Sequence, residues 1–399
     1  MPTEHDRKPF KMRANHQTPS ADHYSTSGLC ETLSGIGGST VRTGISRMDG
    51  FFQASRSEDE NSGSLSGGRE CAPGSRSADG NPFGYDSRGA DHRGPRFDLN
   101  IPPQGYGWWY ADAISDDGNH GFSIIAMIGS VFSPYYAWSG RKNPQNHIGF
   151  NVGLYGKAGK RWTLTERGET ALRQERDSLV MGPSQLHWDG ECLNIHIDEW
   201  ANPIPRKVEG IIRIWPRTLI DHPFQLDGNG KHFWQPFGAI SRVEVEFSKP
   251  YMSWSGNGYM DCNWGSEPLE NGFSYWDWSR AHTGSGAHIL YDAYTRDGEN
   301  RQLSLEINED GTINNTAVPQ KIRLKSGPIW QVSRHTLADQ GTKTETLGML
   351  EDTPFYTRSQ IRSTIDGQRL VSVHESLDLD RFSKNWVRCL LPFRMPRRG

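Results

Sequence analysis

A chain of 399 residues has room for two domains and a long tail. Its net charge of −3 gives no electrostatic pull on nucleic acid, so no nucleic-acid partner is expected. The longest nearly apolar run, residues 122–132, is far short of the roughly 20 residues that a membrane-spanning helix needs.

The start, MPTEHDRKPFKMRANH, carries basic residues but no apolar stretch after them, so it reads as no secretory signal. Residues 1–95 are rich in Ser, Gly, Asp and Arg and show no apolar periodicity. Such a segment cannot bury enough surface to offset its ordering entropy, and it is predicted to be a disordered tail. An upstream extension of the reading frame is the alternative. Every one of the 14 tryptophans lies at or after Trp108.

From Phe97 the texture becomes that of strands. Asp-Gly pairs at 117–118, 189–190, 297–298, 310–311 and 366–367 interrupt β-like runs and predict tight turns, because Asp-Gly tolerates positive φ. Val243, Val245 and Phe247 alternate with Glu244 and Glu246, the period of a half-buried strand. Only residues 166–179 (ERGETALRQERDSL) read as a possible helix.

A short repeat points to duplication. PYYAWSG at 134–140 matches PYMSWSG at 250–256 at five of seven positions, and Ala113-Ile114-Ser115 recurs as Ala239-Ile240-Ser241. Offsets of 116 and 126 residues suit two related β domains, expected at 96–224 and 225–399. The expected fold is all-β: two tandem lipocalin-like antiparallel barrels that hold an apolar ligand.

The five cysteines (Cys30, Cys71, Cys192, Cys262 and Cys389) are odd in number and form no CxxC pair, so neither a disulfide framework nor a zinc site is implied. His187, His196, His282 and His288 lack HExxH spacing, and no phosphate-cradling glycine motif appears; no metal and no cofactor is expected. The densest gathering of aromatic and titratable groups is 231–278. Within it His232 and Trp234, and again Tyr259 and Asp261, are two apart, so each pair projects from one face of a strand. Tyr251, Trp254, Trp264 and Trp276 are the candidate substrate-contacting aromatics around them. Taken singly, each of these residues is more often core or surface furniture; the convergence of two pairs is what singles them out. The C-terminal residues 383–399 mix Trp386, Leu390, Leu391 and Phe393 with arginines, a mixture able to rest on an anionic membrane surface; Pro392 and Pro396 argue against a long helix there, so an ordinary docked tail is the favoured reading.

Residues 105–150, the stretch GNGYMDCNWG and the closing LLPFRMPR resemble the carotenoid 1,2-hydratases (hydroxyneurosporene synthases) of purple photosynthetic bacteria. The resemblance runs from about Phe97 to the C-terminus and leaves the first 95 residues unmatched. It implies a cofactor-independent enzyme that hydrates neurosporene, lycopene or related acyclic carotenoids on the route to spheroidene or spirilloxanthin. It further implies a cytoplasmic location at the face of the inner or intracytoplasmic membrane, with neighbouring enzymes of the same pathway as partners. The family's catalytic set, a His-x-Trp pair and a Tyr-x-Asp pair, falls on His232, Trp234, Tyr259 and Asp261.

Chemistry agrees with that set. An unactivated alkene must be protonated before water attacks, and a carboxyl in an apolar pocket stays protonated near neutrality. Asp261 is the expected acid, Trp234 and Tyr259 the aromatic faces for the cation, and His232 the group that holds the water and takes its proton. The rivals are a non-catalytic polyene carrier, an acid-initiated isoprenoid cyclase or isomerase, and a carbohydrate-active protein with Asp261 and Asp277 as its carboxylate pair.

Overall fold

A computed structural model describes residues 94–156 and 159–398. Residues 1–93 of the expected tail, with Cys30 and Cys71, lie outside them. The first strands in the chain are β1 (Tyr106–Ser115), β2 (His120–Ile128), β3 (Ile148–Gly156), β4 (Arg161–Arg167), β5 (Leu172–Gln174) and β6 (Ser178–Met181). Next come β7 (Ser184–Trp188), β8 (Leu193–Trp200), β9 (Lys207–Pro216), β10 (Phe224–Gln225), β11 (His232–Lys249) and β12 (Tyr251–Gly265). With β22 (Arg397–Arg398) at one edge, these make a single sheet in the order β22-β4-β3-β2-β1-β12-β11-β9-β8-β7-β6-β5, and β10 pairs with β11.

A second sheet uses β13 (Phe273–His282), β14 (Gly286–Thr295), β15 (Arg301–Asn308), β16 (Ile313–Asn315), β19 (Glu345–Asp352), β20 (Tyr356–Ile365) and β21 (Gln368–Asp378). Its order is β16-β15-β14-β13-β21-β20-β19. The pair β17 (Gln320–Leu324) and β18 (Arg334–Ala338) stands apart from both sheets. The fold is therefore all-β and lipocalin-like, as the sequence predicts.

The five Asp-Gly pairs singled out above all lie between consecutive strands. The tightest is Asp366-Gly367, which alone joins β20 to β21 with φ of 49° and 74°, values that a side chain longer than Asp or Asn adopts poorly. Val243, Val245 and Phe247 are buried while Glu244 and Glu246 are exposed, as their alternation requires.

What positions the site is the double burial of the central strands. Along β1, Trp109, Ala111 and Ala113 enter one apolar core with Met260, Cys262 and Trp264 of β12. The alternate residues Tyr106, Trp108 and Tyr110 enter a second core with Trp234, Tyr259, Trp276 and Trp278. The first sheet curls around one core and turns its other face to the second sheet. A strand buried on both faces reads as a continuous hydrophobic run rather than an alternation. The boundary expected between residues 224 and 225 falls inside the two-residue strand β10, which pairs with β11.

Two expectations are corrected. Residues 166–179 form no helix: they are the end of β4, a 3-10 turn at Glu169–Ala171, β5 and the start of β6. Helix propensity is overridden because Glu166 is fully buried, its carboxylate taken by Ser133, His147 and Arg397, which locks the backbone extended. The two PYxxWSG copies also part company. Pro134–Trp138 is a short helix, whereas residues 251–256 belong to β12. In the first copy the Ser133 hydroxyl caps Tyr136 N–H; in the second, the backbone pairs with β11 and β1 instead.

Candidate active site

Between the two sheets lies a cavity of about 410 Å³. Trp108 and Tyr110 of β1, Trp234 of β11, and Asp261 and Asn263 of β12 line it from one side. Trp276, Trp278 and Tyr291 line it from the other, together with Arg358 of β20 and Glu375 of β21. Register brings the first group together: Trp234 and Trp108 both oppose Asn263, and Tyr110 opposes Asp261. The pairing of β11 with β12 shifts register at Gln235/Gly238 and Gly238/Ser241, beside these residues. Bulges of this kind re-aim side chains at active sites.

Asp261 is the chemical centre. Its Oδ2 accepts hydrogen bonds from Trp234 Nε1 and from Tyr259 OH, each 2.9 Å long. Its Oδ1 is buried and has no protein partner. Burial pushes the carboxyl up to about 8, against the two hydrogen bonds, which favour the ionised form; the negative charges of Glu375 and Asp112 add to the rise. At neutral pH the group is an acid. Since Oδ2 already receives two donors, the proton sits on Oδ1, the oxygen left unengaged by the protein.

Three of the four expected catalytic residues thus meet. Tyr259 meets Asp261 through its hydroxyl and does not itself line the cavity; its ring is covered by Trp278 at 5.3 Å and by the Arg280 guanidinium at 5.9 Å. His232 sits one step away along β11. Its Nδ1 hydrogen-bonds Tyr106 OH at 2.9 Å, and its Nε2 is 3.5 Å from Glu267 Oε1. A Cβ placed on Gly272 would lie 2.3 Å from that Nε2, so the imidazole is wedged against backbone. The ring is fully buried and outside the cavity wall, and burial lowers its pKa below the ordinary histidine value.

Of the expected substrate-contacting aromatics, Trp276 lines the cavity. The other three are placed elsewhere. Trp264 points to the opposite face of β12, into the first core, and stacks on Phe233 at 5.6 Å. Trp254 shares that parity and stacks on His120 at 6.3 Å. Tyr251, at the strand's start, is 88% exposed. Proximity in sequence put them in one cluster; alternation along the strand divides it.

The sequence reading missed the charged pair of the opposite wall. Arg358 Nη2 and Glu375 Oε1 form a buried ion pair of 2.5 Å, and Tyr110 OH lies 3.3 Å from the same oxygen. Nothing local flags Glu375, because it joins the site only through pairing across the second sheet. Asp277 faces away from the cavity, although its neighbours Trp276 and Trp278 face into it, so Asp261 and Asp277 do not form a carboxylate pair. Among the described residues no three His, Cys, Asp or Glu side chains gather as a metal site requires.

Fold and site together define a lipocalin-like β protein whose aromatic cavity holds a buried carboxylic acid, Asp261, in its wall. Residues 124–399 match the family model described as carotenoid hydratase CrtC. The acyclic carotenoid 1,2-hydratase of Thiocapsa roseopersicina is 49% identical over 93% of this chain and 92% of its own. That of Rubrivivax gelatinosus is 44% identical over 93% of each, and that of Cereibacter sphaeroides 42% identical over 69% of this chain and 98% of its own. The chain belongs to the carotenoid hydratase family and is a hydro-lyase. A solved structure from Nitrosomonas europaea, assigned as an AttH, shares the fold with a TM-score of 0.50, covering 68% of this chain and 91% of that one at 15% identity. The Thiocapsa and Rubrivivax alignments correct one expectation: covering 93% of the chain, they extend into the first 95 residues, which are therefore not unmatched.

Proposed function

We propose that the protein adds water across the terminal C1–C2 double bond of acyclic carotenoids such as neurosporene and lycopene, giving 1-hydroxy carotenoids. The observation that carries this reading is the unpartnered Oδ1 of a protonated Asp261 in an aromatic cavity. The names of the relatives, acyclic carotenoid 1,2-hydratases, supply the substrate class.

The Asp261 Oδ1–H bond breaks as its proton is delivered to C2, and the alkene's electron pair forms the new C–H bond. C1 becomes a tertiary cation. The cavity rings of Trp234, Trp276 and Trp278 offer π-faces to that charge, worth about 2 kcal/mol each when desolvated. A water oxygen then bonds to C1 and must lose a proton. The role expected of His232 passes, in this reading, to Glu375, which lines the cavity and is ion-paired with Arg358, whereas both imidazole nitrogens are turned to Tyr106 and Glu267. Returning that proton from Glu375 to Asp261 resets the enzyme. Hydration is redox-neutral, so acid, water and acceptor balance it without a cofactor. His232 serves as a positioning residue at the head of β11. A polyene substrate resides in lipid, so the protein works at a membrane surface; among the described residues no helix is long and apolar enough to cross one.

The test is incubation of the purified protein with lycopene or neurosporene, followed by mass analysis. A gain of one water supports the reading. An unchanged mass with a new retention time would make it a cyclase or isomerase, and unaltered pigment a carrier.

A further inference from the structure

The cavity opens at a rim that the catalytic argument leaves unused. Leu390 and Phe393 line the cavity and are also 39% and 73% exposed, so they sit at its mouth. Trp330 lines the same mouth, and Trp386, 48% exposed, stacks on it with centroids 6.1 Å apart. Trp386 and Leu390 are four apart on the helix Asn385–Leu390 and share a face. Next to Trp330, Ile329 is 75% exposed while its backbone N–H is held 2.7 Å from Asp352 Oδ2, itself a cavity residue. Large apolar side chains this exposed, gathered at the entrance to an apolar cavity, mark a contact surface.

Charge selects the occupant. Residues 383–399 contain no Asp or Glu. Lys384, Arg394 and Arg398 are exposed around the apolar tip, and the Arg394 guanidinium lies 4.3 Å from the centroid of Trp162, another ring of the cavity wall. A second copy of the chain docked here would bring like-charged collars together. An anionic bilayer answers both features at once: headgroups meet the cations while the apolar tip enters the acyl boundary.

We infer that this rim, built from Ile329, Trp386, Leu390 and Phe393, is a docking surface for anionic lipid bilayers through which the cavity draws its polyene end-first. The inference rests on the polyene reading for what passes through the mouth, but the docking itself is testable apart from it.

The experiment is flotation of the full chain with phosphatidylcholine vesicles and with vesicles that include phosphatidylglycerol, beside activity on lycopene in vesicles and in detergent micelles. The parent should float with the anionic vesicles, less with the zwitterionic ones, and less at high salt. An Ile329→Ser/Trp386→Ser double variant replaces no residue that itself lines the cavity and changes only exposed side chains. It should partition about tenfold more weakly and lose vesicle activity in step, while keeping the parent's activity in micelles. A double variant that floats like the parent, or a parent that ignores anionic vesicles, overturns the proposal. A parent that dimerises through these residues overturns it in favour of a second copy. Asp261→Asn should float normally and make no alcohol; a parent that floats yet hydrates nothing leaves the surface standing and removes the polyene hydratase reading alone.

Discussion

The chain holds three Tyr-x-Asp pairs; in the first, Tyr110 with Asp112, the aspartate is also ion-paired with Arg280, and the other two are nearly the same locally and opposite in consequence. In each, a tyrosine hydroxyl donates to the aspartate two residues on at 2.9 Å: Tyr259 to Asp261 and Tyr275 to Asp277. Burial raises both carboxyls, to about 8 and about 7, and in each one oxygen is left without a hydrogen bond. The difference lies in what each faces. Asp261 looks into the aromatic cavity, whereas Asp277 is held by Ser376 OH at 2.5 Å and by His335 N–H at 3.3 Å, beneath the β17–β18 pair. A perturbed carboxyl becomes a catalytic candidate through access to a ligand; the shift alone equally marks a structural anchor.

Substituting each aspartate should separate the two most widely. Asp261→Asn preserves shape but removes the proton that starts the reaction; hydration should fall by at least the roughly 10²–10⁴-fold typical of general acid loss, with the fold and polyene binding retained. Asp277→Asn should retain most activity. Product analysis of both variants decides, and a dead Asp277→Asn beside an active Asp261→Asn would falsify the assignment of the acid.

The proton acceptor comes next. Glu375 works ionised, so activity should also decline at low pH, as that carboxylate takes up a proton. Burial raises Glu375 above the ordinary range against the pull of Arg358, which places this limb above pH 4.5. Glu375→Gln should lower kcat by about 10²-fold or more and erase the acidic limb. Because the change leaves Arg358 without its partner, circular dichroism and polyene binding must accompany it. His232→Ala should reduce activity while preserving the shape of the pH profile; loss of the acidic limb in that variant alone would return the acceptor role to His232.

A smaller effect sharpens the acid itself. Asp261 must be protonated, so kcat should fall as pH rises through about 8. Trp234→Phe keeps an aromatic face but deletes a hydrogen bond that favours the carboxylate. Its rate should drop only several-fold, and the alkaline limb should move to higher pH. A downward move would mean that the indole N–H does not stabilise the anion.

The smallest expected effect concerns stability. Asp277 rises from an ordinary 3.8 to about 7, so between those values the folded state keeps a proton that the unfolded state has released. The stability it contributes is full below pH 3.8 and is lost as pH climbs to about 7. Asp277→Asn, neutral throughout, should flatten the decline of Tm with pH over that window, and Asp261→Asn should do so up to about 8. Parallel thermal scans from pH 4 to 9 measure both.

Much of this was legible in the residues. The Asp-Gly turns, the alternation at 243–247 and the same-face spacing of Trp234 and of Tyr259 with Asp261 are local properties, set by turn geometry and by the two-residue period of a strand, and they survive any arrangement of sheets. The strands beside the site, β1 and β12, were harder to read as parts of one wall because burial on both faces erases alternation. The helix expected at 166–179 failed because a buried ion network outweighs propensity worth only tenths of a kcal/mol per residue. Which way a residue looks followed from parity, yet what it looks at did not. Only the packing of one sheet on the other placed Glu375 and Arg358 opposite Asp261, put His232 behind the wall, and turned Asp277 away. Arg358 and Glu375 are 97 and 114 positions from Asp261, and no local pattern encodes a distance set by long-range sheet pairing.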